Sequence, residues 1–154
     1  MLSDVIKNPE YAKIMQSNIR DILFFLFEQE QNFGILCKIE EVDFDPPLPP
    51  NIHAEFRPMT LFFLAGYTFE SSIVEDEYLS FEAGFGAENI GSFVHVPLLS
   101  IMQIIIDENP IFINLSQVKN INGVEKNEIK PEGVKNSMSA FLSNPENQKF
   151  LKKK

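Results

Sequence analysis

The chain of 154 residues has one cysteine (Cys37), no tryptophan and only two histidines, His53 and His95. A single cysteine excludes an intrachain disulfide and a thiolate metal cluster. With no Cys-rich or His-rich spacing there is no zinc pattern, and neither metal nor cofactor is expected. Long apolar runs are missing too. The longest, Ile22 to Phe27, is bounded by Asp21 and Glu28 and is far too short to span a bilayer. The opening residues, Met-Leu-Ser-Asp-Val-Ile-Lys, lack a basic segment followed by a long apolar one. No secretory signal is read there, and a cytoplasmic location without membrane attachment is the expectation.

Basic residues are scarce over most of the chain. Residues 1–116 hold 5 Lys+Arg against 18 Asp+Glu, a net of −13, whereas the remainder holds 8 against 4, a net of +4. An acidic body repels phosphate backbones, which disfavours nucleic-acid binding by that part. The aromatics divide at the same place: 13 of the 15 Phe precede residue 115, and only Phe141 and Phe150 follow. A folded domain over 1–116 and a flexible tail over 117–154 are expected.

Asn8-Pro9-Glu10 reads as a helix start, with a side-chain cap, Pro at the first helical position and an acid in the first turn. Met15, Ile19, Ile22, Leu23 and Leu26 recur at helical spacing, while Phe24, Phe25 and Phe27 carry apolar surface to the other side. Such a helix must be covered on two sides. Gly34 marks its end, and the alternation of Ile35, Cys37 and Ile39 reads as a strand. Asp45-Pro46-Pro47-Leu48-Pro49-Pro50 is a stiff connector. Strands are read over Thr60 to Leu64, Tyr78 to Phe85 and Ser92 to Val96, the last two forming a hairpin about the turn Gly86 to Gly91. Pro97 opens a second helix with the stripe Leu98, Ile101, Met102, Ile105 and Ile106, closed by Asp107 to Pro110; Ile111 to Ile113 is a last short strand. The order gives an α+β fold: a first helix packed on a curled, partly barrel-like antiparallel sheet, with a second helix.

The search for catalysis is negative. His95 lies between Val94 and Val96 and suits a packed or hydrogen-bonded strand histidine. Glu40-Glu41 and Asp43-Asp45 suit solvated charge rather than converging acid–base pairs. Gly84-Phe85-Gly86 lacks the further glycines and the lysine of a phosphate loop. Cys37 suits a small core residue. No enzyme is expected. Glycines beside aromatics at a sheet corner suit the capture of an extended peptide, although the same glycines also suit a plain bulge and turn.

Leu79-Ser80-Phe81-Glu82-Ala83-Gly84-Phe85-Gly86-Ala87, then Val94-His95-Val96-Pro97-Leu98, then Ile101, Ile104 and Glu108-Asn109, resembles the stringent starvation protein B (SspB) family. That family's pattern reads Ser-Phe-x-Ala-Arg-Phe-Gly-Gly, then Val-x-Val-Pro, then Glu-Asn. The resemblance covers about residues 14 to 116 and is specific over 79 to 109. It implies a non-catalytic adaptor that binds extended, ssrA-like degradation tags and delivers tagged proteins to the ClpXP protease. It implies a peptide groove formed by Phe62, Leu64, Phe81, Ala83, Phe85, Gly86 and Ala87, and a homodimer joined through Ile19, Leu23, Phe24 and Phe27 of the first helix. It also implies a tail that docks on a ClpX-like AAA+ unfoldase through Phe150, Leu151, Lys152 and Lys153. Gly84 stands where the family has Arg, Ala87 stands where it has the second Gly, and the tail lacks Arg-Pro-x-Leu-Arg. The runner-up readings are a general holdase resembling SecB and a dimeric assembly protein.

Overall fold

The computed structural model describes residues 1–119 and 121; the tail positions Phe150, Leu151, Lys152 and Lys153 lie outside the described residues. A short helix, α1 (Leu2–Ile6), leads into α2 (Pro9–Glu28). The start of α2 is the expected one: the Asn8 side chain accepts a hydrogen bond from the Glu10 amide at 2.9 Å, and Pro9 opens the first turn. There follow β1 (Phe33–Lys38), β2 (Asp43–Asp45), α3 (Pro50–His53), β3 (Met59–Leu64), α4 (Gly66–Glu70), β4 (Ile73–Val74), β5 (Tyr78–Phe85), β6 (Ile90–Pro97), β7 (Ile101–Ile106) and β8 (Asn109–Ile113).

The strands form two separate four-stranded antiparallel sheets. The first runs β3-β1-β7-β8 and the second β2-β6-β5-β4. Both contribute to one core, in which Phe33, Ile35 and Ile104 of the first sheet meet Leu79, Phe81, Val94 and Val96 of the second. The α+β class therefore holds, while the curled single sheet does not: the strands divide between two sheets. Helix α2 contributes Ile19, Leu23 and Leu26 to the same core. Phe27 sets its ring against Phe33 at 5.4 Å and Phe69 at 4.9 Å. An ion pair from Arg20 to Asp76, 3.0 Å, ties α2 to the turn before β5.

The second helix expected after Pro97 is absent. A single 3-10 turn, Leu98–Ser100, leads into strand β7, and Asp107-Glu108 make a tight turn to β8. The stripe Ile101, Met102, Ile105, Ile106 fits a helical period, but the β-branched run Ile104-Ile105-Ile106 favours an extended chain. The strand is apolar on both faces, because its outward side belongs to a sheet face that is itself apolar. Residues read as the beginning of the tail join the body: Val118 and Ile121 are buried with Ala12 and Leu99, and the Gln117 amide donates to the Ile6 carbonyl at 2.7 Å.

Candidate functional site

The β5–β6 hairpin has two faces fixed by alternation. Phe81, Val94 and Val96 point into the core, so Ser80, Glu82 and Gly84 of β5 and Gly91, Phe93 and His95 of β6 point outward. Strand pairing sets these outward residues in rows. Asp45 of β2 pairs with Phe93, and Phe93 with Glu82; beside that row, Gly84 faces Gly91. A groove of about 470 Å³ lies along these rows, with Asp45 and Pro46 on one side and Tyr67 and Thr68 of α4 on the other.

Each part of the groove has a local cause. Gly91 leaves its backbone bare, since a Cβ there would meet nothing within 4 Å. Gly84 is crossed by the Asn89 side chain, which returns from the hairpin turn and fills the place a Cβ would take. That contact explains why glycine stands here where a longer side chain could be imagined. The Tyr67 hydroxyl donates to Glu82 Oε2 at 2.6 Å, and this bond to a carboxylate raises the phenol above its ordinary range. Ser92 is buried, its hydroxyl donating to the Pro46 carbonyl at 2.9 Å and fixing the proline connector against β6. Among the described residues the groove is lined by two carboxylates, Asp45 and Glu82, and by no basic side chain.

The residues expected to form a peptide groove take several places. Ala83 lines it. Leu64 and Phe81 are fully buried and Phe62 nearly so. Phe62 and Phe85 join Phe44 and Phe56 in an aromatic cluster with ring separations of 5.5 to 6.4 Å. Gly86 and Ala87 are exposed at the hairpin turn, where Gly86 has φ +76 and its inner side is closed by Ile52 of α3. The greasy walls expected from the sequence therefore face the core, and the opening lies on the other face of the same hairpin. Glu82 and Gly91 were not among the expected groove residues: strand alternation could have found Glu82, the sequence reading puts Gly91 in the turn, and Tyr67 and Asp45 reach the groove only through tertiary packing.

Of the expected dimer residues, Ile19 and Leu23 are fully buried in the chain's own core, and Phe24 and Phe27 are half-buried against it. Phe25 is the aromatic of α2 that stays exposed.

A second outward row joins Asp43, His95 and Ser80 across three strands, with Ser80 Oγ 2.8 Å from His95 Nδ1. Its composition is that of a nucleophile, base and acid. Ser80 is buried, however, and no Asp43–His95 hydrogen bond is present among the described residues. Phe93 stacks on the His95 ring at 5.8 Å, so the row serves as a cross-strand lock beside the groove.

No family model matches the chain, and comparison with curated proteins and with solved structures returned no match.

Proposed function

We propose that this chain is a non-catalytic adaptor. It holds an extended degradation-tag peptide, ssrA-like in character, in the groove over Gly84 and Gly91 and passes the tagged polypeptide to a ClpX-like AAA+ unfoldase. The observation that carries the reading is the open groove over Gly91, where no side chain covers the backbone and a foreign main chain can lie close to the sheet. The resemblance to the SspB family over residues 79 to 109 supports the same reading. Asp45 and Glu82 bias the groove toward tags that bring a lysine or arginine and against acidic ones.

The test is a polarisation titration with fluorescent tag peptides that differ at one position, Lys, Ala or Glu. Binding in the micromolar range, ordered Lys above Ala above Glu, is expected. No binding by any of the three would remove the adaptor reading. A general holdase is the second reading, and the exposed apolar face of the first sheet favours it. Such a protein would suppress aggregation of many unfolded chains at similar ratios, with no preference among the three peptides.

A further inference from the structure

A chain that lies over the face of a sheet meets a polar problem that the strands do not solve. The N–H and C=O groups of β5 and β6 lie in the plane of the sheet, directed toward neighbouring strands and not up into the groove. A bound peptide brings its own donor and acceptor at each residue, and each one withdrawn from water without a partner opposes binding. The partners must therefore come from side chains of the groove. Most of these are committed or one-sided. The Tyr67 hydroxyl is given to Glu82 and the Ser92 hydroxyl to the Pro46 carbonyl. The carboxylates of Asp45 and Glu82 accept but cannot donate, and Thr68 adds a single hydroxyl. Asn89 differs. It lines the groove, and its side chain has no hydrogen-bond partner among the described residues.

We propose that Asn89 holds the main chain of the bound peptide, its carboxamide donating to one peptide carbonyl and accepting from one peptide N–H. A carboxamide sets a donor and an acceptor side by side in one plane, which matches the polar groups of an extended chain. Its placement is built into the hairpin. Asn89 has φ +53, a left-handed conformation that asparagine adopts more readily than most residues, and its amide donates to the Gly86 carbonyl at 3.1 Å. The missing side chain of Gly84 then lets the carboxamide lie where a Cβ would be, with Nδ2 3.1 Å from that position. Gly84 pairs with Gly91, so the carboxamide sits beside the open backbone over which the peptide is placed. Held in this way before the peptide arrives, it loses little freedom on binding. The inference rests on the adaptor reading of the groove and names the group that grips a tag whatever its side chains are. Asp45 and Glu82 then read charge, and Asn89 reads backbone.

Polarisation titrations of the full chain test it, with the lysine tag peptide and a set of copies each N-methylated at one backbone nitrogen. In the wild type, one N-methylated position is expected to lose affinity about 10-fold, the effect of a single hydrogen bond. Asn89→Gly keeps the left-handed turn and removes the carboxamide. It is expected to bind the unmodified peptide about 10-fold more weakly and to be indifferent to N-methylation at that one position. Gly84→Ala, whose Cβ displaces the carboxamide, is expected to behave in the same way with Asn89 still in place. Two variants at different residues keep the test valid if one of them perturbs folding, which far-UV spectra and urea midpoints would reveal. Wild-type affinity in Asn89→Gly, or an N-methyl penalty undiminished in it, would overturn the inference and leave the adaptor reading standing. No binding by the wild type would remove the adaptor reading and the inference with it.

Discussion

Glu41 shows how a single side chain can work against the fold it belongs to. Both carboxylate oxygens are shielded from water and have no hydrogen-bond partner among the described residues, beside a small cavity of about 210 Å³ that also touches Gln16, Tyr78 and Lys119. Loss of water raises its carboxyl above the ordinary 4.5, with Lys38 and Lys119 opposing the rise. A raised value in the folded state means that the folded protein holds the proton more tightly than the unfolded chain does. The group is thus stabilising below pH 4.5 and loses that contribution as pH rises through its folded-state value. Glu41→Gln should flatten this part of the pH–stability curve and, after allowance for partial exposure, gain about 1 kcal/mol at neutral pH by urea unfolding. The turn Asp107-Glu108 holds two non-glycine residues at φ +50 and +67. Glycine is free of the side-chain clash there, so Glu108→Gly should stabilise by about 1 kcal/mol in the same assay. Cys37 is fully buried and its thiol is pushed far up, first by burial and then by Glu41. It should resist thiol reagents until the protein unfolds.

At the scale of elements, the legible parts were those in which one physical signal acted alone. Asn8, Pro9 and Glu10 marked the start of α2, and the alternation about Ile35 and Cys37 marked β1. Strand β7 was misread because a sequence apolar on both sides satisfies a period of two and a period of 3.6 equally. Its outward apolar face is a property of the whole sheet, visible only once β3, β1 and β8 are aligned with it. The hairpin was legible as a hairpin, but its burial was assigned to the wrong face: Phe81 was expected to wall a channel and instead packs 5.7 Å from Phe62 in the core. A packed aromatic pair of this kind has a measurable consequence. Phe81→Ala should cost about 4 kcal/mol in urea unfolding, the range for a large aromatic removed from a core. The groove itself was scarcely legible: of the expected residues Ala83 lines it, Gly91 reads as turn in the sequence, and Tyr67 arrives on α4.

At the scale of the molecule, the proposed adaptor would capture its tag with the acidic body and deliver it through the basic remainder. Val118 and Ile121 belong to the body, so a truncation that tests delivery must begin after Ile121. Removal of residues 122–154 should leave peptide affinity unchanged and end stimulation of unfoldase-driven proteolysis, read as the turnover of a tagged fluorescent substrate. The central claim is that a foreign chain lies over the open backbone at Gly91, and that residue offers the most direct test. A Cβ there meets nothing within 4 Å, so Gly91→Phe should enter the groove while the urea midpoint stays in place. In a polarisation titration the wild type should bind the tag peptide in the micromolar range, and Gly91→Phe should bind it at least ~10-fold more weakly. Equal affinity in the two proteins would show that the peptide lies elsewhere.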